Sequence, residues 1–341
     1  ALMMAAAFTA AGGAEALDYV PLYNATFMGG QYFFQSDRSS LSGNASVLAA
    51  PMLRTQGSWA FIPTVSSNYQ GTKGVGEGVG SGTLFQQQMD HRAGFSVLHA
   101  ASGSSWKFKP SMSYKREFLK ETRDEAWGRG LFDFEKIAVG FEAENVYRDP
   151  FSYRLGVDVF RIRFPNYQSL ESSAGVDPLG NPLGRELSNK NVLDTMNYQL
   201  SASATRPFPY DDPKVSLQAG YSIMVQDFRD QSIVDQRGQL ISSKRRDYLQ
   251  SLSASVGYPR PVSLGGKDFR LDSSLGLNGA FNSSNQNTFD AARTQFVPDS
   301  YSYAGFGLGP SFTLAWGDKK APAWLGASFR YGRTQYQGRL T

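Results

Sequence analysis

The sequence predicts an all-β fold, a transmembrane antiparallel up-and-down β-barrel of about fourteen strands. Three observations predict it. Long segments alternate apolar and polar residues, the connections between them alternate in length, and the composition is rich in aromatics and glycine without a long apolar run.

The clearest segment is 248–258. Tyr248, Leu252, Ala254, Val256 and Tyr258 fall on one side of an extended strand, and Ser251, Ser253, Ser255 and Gly257 on the other. Strand side chains alternate with period two, and about 11 residues of tilted strand cross a bilayer. The pattern recurs, giving thirteen strands at 29–35, 45–53, 58–69, 84–100, 106–118, 132–147, 151–164, 196–208, 215–228, 248–258, 269–281, 301–316 and 323–331. In 215–228, Val215, Leu217, Ala219, Tyr221, Ile223 and Val225 oppose Ser216, Gln218, Gly220, Ser222 and Gln226. Soluble sandwiches also alternate, but their strands usually hold about five or six residues. Tyr198, Tyr221, Tyr248, Tyr258, Trp316 and Tyr331 are the expected aromatic girdle residues.

Short connections follow even strands, at 101–105, 148–150, 209–214, 259–268 and 317–322. Long ones follow odd strands, at 71–83, 120–131, 165–195, 229–247 and 282–300. Short periplasmic turns and long extracellular loops are the rule in outer-membrane barrels, so the chain is expected to start on the periplasmic side. Bacterial single-chain barrels hold an even number of strands. The closing fourteenth strand is therefore expected beyond Thr341, in preference to an extra strand at 17–27.

The 341 residues include no cysteine, which excludes disulfides, thiolate metal sites and a cysteine nucleophile. With 34 basic against 30 acidic residues, the charge excess is too small and scattered to indicate nucleic acid. The mean hydropathy is −0.36, and beyond the N-terminus no apolar run is long enough for a transmembrane helix. Residues 1–16 read as a signal-peptide remnant, apolar and ending in Ala14-Glu15-Ala16, which leaves 17–341 as one barrel domain.

Chemistry is expected on the inward side of the barrel. The inward parity of each strand collects Lys107, Lys109, Lys115, Glu117, Glu142, Glu144, Arg154, Asp158, Arg270, Asp272 and Arg330. Charges of both signs across a water-filled lumen create a field that orients polar solutes and sets ion preference. The plainer alternative is that they pair and fill the interior.

His91 and His99 share one strand, and acyl hydrolysis would need a serine beside one of them plus an orienting group. Asp90 is adjacent but points to the opposite face, so structural roles are expected for both histidines. The glycine-rich 74–82 lacks the Gly-Lys-Ser/Thr ending of a phosphate loop and reads as an extracellular loop. The repeated Pro-Leu-Gly at 178–184 reads as turn punctuation. Asp211, Asp212, Asp227, Asp230 and Asp235 lack calcium-site spacing. Lys244-Arg245-Arg246, beside Asp247, reads as a charged outer rim, with lipopolysaccharide phosphates as the sharper alternative.

Taken together, residues 29–331 resemble the Gram-negative outer-membrane β-barrel superfamily, in the size range of fourteen-stranded fatty-acid transporters and monomeric porins. The resemblance is one of pattern and transfers no functional residue. A fatty-acid transporter of that kind carries an N-terminal plug, for which 17–28 is short. It implies residence in the bacterial outer membrane, with membrane lipid, lipopolysaccharide and other envelope proteins as partners and no cofactor. The first expectation is a channel or passive transporter for small polar or charged solutes. The second is a non-conducting subunit or anchor of an envelope complex, and the third, weaker, is an acyl-modifying enzyme.

Overall fold

The computed structural model describes residues 17–32, 40–55, 57–73, 85–121, 125–145, 151–167, 191–207, 215–290, 295–317 and 323–338. Every regular element among them is a β-strand. In chain order these are β1 (Asp18–Val20), β2 (Tyr23–Tyr32), β3 (Ser40–Ala49), β4 (Met52–Arg54), β5 (Trp59–Lys73) and β6 (Phe85–Ala100). There follow β7 (Trp106–Lys120), β8 (Phe134–Asn145), β9 (Ser152–Arg163), β10 (Thr195–Pro207), β11 (Ser216–Val234) and β12 (Leu240–Leu264). The last are β13 (Lys267–Ser284), β14 (Thr288–Asp290), β15 (Gln295–Val297), β16 (Tyr303–Trp316), β17 (Ala323–Ser328) and β18 (Tyr331–Tyr336). Sixteen of them form one antiparallel sheet, while β14 and β15 pair apart as a small hairpin.

Proline divides three of the strands. β1 and β2 flank Pro21, and β3 and β4 flank Pro51. β17 gives way to β18 at Phe329-Arg330, opposite Pro310 of β16. Proline has no N–H to give to a ladder, so pairing lapses beside it. Single backbone bonds carry the chain past two of these points: Ala50 N–H to Leu22 O at 2.9 Å, and Phe329 N–H to Pro310 O at 3.0 Å. Joined across the breaks, the sheet is a meander of thirteen rungs in chain order. Its first rung starts at Asp18 rather than residue 29, so 17–28 belongs to the sheet wall. Among the described residues, no pairing joins the β1–β2 edge to the β17–β18 edge.

Three predicted connections are corrected. Residues 229–247 are mostly strand, because β11 and β12 continue as a hairpin that turns only at 235–239. This stretch mixes polar and apolar residues on both faces, with Ile233-Val234 and Leu240-Ile241 as adjacent apolar pairs, so no alternation marks it in the sequence. Residues 259–268 also pair, leaving Gly265-Gly266 as a two-residue turn with φ of 58° and 77°. Two consecutive left-handed residues make the type I′ hairpin, which glycine adopts without strain. Residues 282–300 contain the β14–β15 hairpin. Segments 1–16, 74–82 and 178–184, with Asp211 and Asp212, lie outside the described residues.

The register sorts side chains into a polar and an apolar face. On β7, Ser111, Ser113, Lys115 and Glu117 are half-buried, while Met112, Tyr114 and Arg116 are exposed, Met112 by 61%. The same inversion runs through β8 to β10, where Ile137, Val139, Phe141, Leu155, Val157, Tyr198 and Leu200 are exposed. A soluble sheet hides its apolar face, and here the polar face is the sheltered one.

The tightest packing lies at the end of the sheet that bears the long connections. Val192, Phe228, Ile233 and Val234 are buried there with Asp194, Thr195, Asn197, Asp247, Ser284, Gln286, Ser300 and Ser302. The segment around β14 and β15 folds against this end and closes its own hydrogen bonds. Ser302 Oγ accepts from Ser284 N–H at 3.0 Å, Asn282 Nδ2 donates to Tyr301 O at 2.9 Å, and Asn287 Nδ2 donates to Val234 O at 3.1 Å.

Candidate functional site

Most of the charge on the polar face lies on one wall, built by β6 to β9. Registers align its side chains in transverse rows. Lys107, Glu144 and Arg154 share one row, and Lys109, Glu142 and Gly156 the next. Ser96, Ser111, Gly140, Asp158 and Gln199 form a third. A fourth holds Gly94, Ser113, Ala138 and Phe160, and a fifth Arg92, Lys115 and Lys136.

The sequence-predicted lumen residues therefore fall into distinct groups. Arg154 spans two carboxylates, donating from Nη2 to Glu144 Oε1 at 3.1 Å with Nε 3.7 Å from Glu142 Oε2. Lys107 and Lys109 lie beside the same pair. Lys115 pairs with Glu117 at 2.6 Å, two residues along its own strand. Arg270 and Asp272 pair in the same way at 2.8 Å near the other end of β13, apart from the charged wall. Arg330, in the break between β17 and β18, lines a groove with Gln218, Ser253, Ser255, Gly276 and Asn278.

That groove belongs to a second wall of different chemistry. From β10 to β16 the polar face is mainly hydroxyl, amide and glycine, with the Arg270–Asp272 and Arg245–Asp247 pairs confined to its two ends and ladder bonds such as Ser222 to Ser251 and Ser274 to Ser311, both 2.7 Å, between them. A charged wall thus adjoins a largely uncharged, hydroxyl-rich one.

Sequence reasoning missed Asp90, Arg92, Lys136 and Gln199. Parity was the available signal: Lys136 has the phase of Glu142 and Glu144, and Asp90 and Arg92 are even-numbered neighbours of Gly94 and Ser96 on β6. Lys136 lies over the Phe160 ring at 3.8 Å, and Asp90 accepts both Asn68 Nδ2 contacts, at 2.7 and 3.1 Å.

The basic run at 244–246 divides. Arg246 faces the apolar side and pairs with Asp227. Arg245 is corrected from rim to interior: its guanidinium lies between Phe228 and Tyr301, 4.3 and 4.2 Å from the ring centres, and donates to Asp247 at 3.0 Å. Period two turns its side chain inward, against the packed end. Asp235 accepts the N–H groups of Arg237 and Gln239 and shapes the hairpin tip.

Both histidines meet a serine. His91 Nδ1 is 3.0 Å from Ser67 Oγ, and His99 Nδ1 is 3.1 Å from Ser58 Oγ. The residue opposite His91 on β7 is Arg116, a cation that opposes the protonated imidazole a general base must become. His99 stacks on Trp59 at 4.1 Å. The six predicted girdle residues, Tyr198, Tyr221, Tyr248, Tyr258, Trp316 and Tyr331, are all exposed on the apolar face.

Fold and site define an all-β, antiparallel, up-and-down sheet of barrel-like form, charged along one polar wall. No protein-family model matches the chain, and no curated protein sequence matches it either.

Proposed function

We propose that this chain is an outer-membrane β-barrel that serves as a channel or passive transporter for small polar or charged solutes. The observation that carries the reading is the inverted exposure of β7 to β10, with a polar face sheltered and an apolar face open. An apolar face this continuous needs an apolar cover, and a bilayer supplies it on every strand at once. Closure of the two sheet edges, residence in the bacterial outer membrane and contact with lipopolysaccharide belong to the proposal. On it, the charged wall of Lys107, Lys109, Glu142, Glu144 and Arg154 lines the lumen and sets ion preference.

Planar-bilayer recording tests it. The folded protein is expected to give a stable ohmic current whose ion selectivity shifts toward cations in Lys107→Glu/Lys109→Glu. A silent, correctly folded barrel overturns the channel reading.

One observation favours a second reading, a non-conducting subunit or anchor of an envelope complex. The packed end around Arg245, Asp247 and Gln286 lies on the polar side, and in a closed barrel it would narrow the lumen. A silent barrel that co-purifies with a defined envelope protein would support it. The acyl-modifying reading requires lipid hydrolysis that is lost in His91→Ala or His99→Ala.

A further inference from the structure

Between the cation row and the Asp158 row of the charged wall lies a cavity of about 220 Å³. Its polar lining is Arg92, Lys115 and Lys136 at one end and Asp158 and Gln199 at the other, with Ser111 and Ser113 between. Lys115 is already matched by Glu117. Among the described residues, Arg92, Lys136 and Asp158 enter no ion pair, although all three line one cavity. Lys136 and Asp158 are half-buried, while Arg92 is exposed at the mouth of the cavity. An unpaired charge partly withdrawn from bulk water is costly, and a cavity that holds both signs apart suits a guest that carries both.

Gly140 shapes the acidic end. A β-carbon there would strike Asp158 Oδ1 and would come within 3.3 Å of Ser111 Oγ. The Asp158 carboxylate thus lies over Gly140 and reaches from β9 across β8 toward β7. At the opposite end Phe160 supports the Lys136 ammonium through its ring face.

We infer that this cavity binds a small zwitterion of amino-acid type. Arg92 and Lys136 receive its carboxylate, and Asp158, with Gln199 beside it, receives its ammonium. Ser111 and Ser113 supply hydroxyls along the path between them, and a site of this volume excludes large solutes. The inference rests on the channel reading and deepens it, because it names the solute class that the charged wall retains.

Ligand-observed NMR on the detergent-folded protein tests binding directly, with glycine, acetate and methylammonium as probes. Glycine is expected to bind at least about tenfold more tightly than either half-molecule. Asp158→Asn is expected to abolish the preference of glycine over acetate, and Arg92→Gln/Lys136→Gln to abolish binding of both. Gly140→Ala, which displaces the carboxylate without removing it, is expected to reproduce Asp158→Asn. Equal binding of glycine and acetate, no binding at all, or an undiminished glycine preference in Asp158→Asn overturns the site. Conductance is recorded on the same preparations. A conducting barrel without glycine binding removes the site and keeps the channel, whereas glycine binding to a silent barrel keeps the site and removes the channel.

Discussion

Arg245 and Asp247, two residues apart on β12, form an ion pair in which both side chains are shielded from solvent, the guanidinium at 13% exposure and the carboxylate at 3%. Removing one partner leaves the other charge buried, at a cost of about 3–5 kcal/mol. Asp247→Ala is therefore expected to loosen the packed end and to make the 235–239 turn open to protease. Limited proteolysis with mass mapping checks this. Unchanged cleavage at the turn would show that the pair does not hold this end together.

Leu252 and Ser253 are neighbours on β12 and point to opposite faces. If a bilayer covers the apolar face, Leu252→Arg costs about 2–4 kcal/mol near the membrane midplane, while arginine in place of Ser253 is far milder. Reversible folding into lipid vesicles measures both. Equal costs would argue for a water-covered sheet.

Gly265 and Gly266 both adopt positive φ. A side chain in that conformation costs roughly 1–2 kcal/mol, so Gly265→Val and Gly266→Val are each expected to lower the denaturant midpoint. The same change at Gly276, in the middle of β13 with a nearest neighbour at 3.7 Å, meets no such backbone penalty and is the control.

Asp133 precedes β8, and its carboxylate accepts Leu119 N–H at 2.8 Å and Asn166 Nδ2 at 3.3 Å. Burial raises its pKa above the ordinary carboxylate value, against the opposing pull of the Leu119 and Gly130 backbone bonds. A carboxyl whose pKa rises on folding holds its proton more tightly when folded. Stability therefore falls as pH climbs from the unfolded to the folded value, and the loss is complete above the latter. The folding free energy of the native chain is expected to decline through that window relative to Asp133→Asn. Parallel pH curves for the two proteins would refute the assignment.

Much of this arrangement is legible in the chain because period-two alternation is a local property. Lys107, Lys109, Glu142, Glu144, Arg154 and Asp158 share a face by parity alone, and the register then sets them in adjacent rows. Arg245 was not legible in the same way. Its charge suggested a wet rim, and only the arrival of Tyr301 from a distant connection makes a cation sandwich of it. The rung that begins at Asp18 was hidden for another reason, since Pro21 interrupts the alternation that would reveal it.

The sequence by itself determined the strand alternation and the two faces, because each depends on residues near one another in the chain; the connection lengths at 229–247 and 259–268 were decided by pairing between strands. The tertiary structure alone decided which charges pair, which stay single, and how they share a cavity. Arg92, Lys136 and Asp158 stand on three strands, β6, β8 and β9. Their meeting depends on register, and register is fixed by hydrogen bonding between strands.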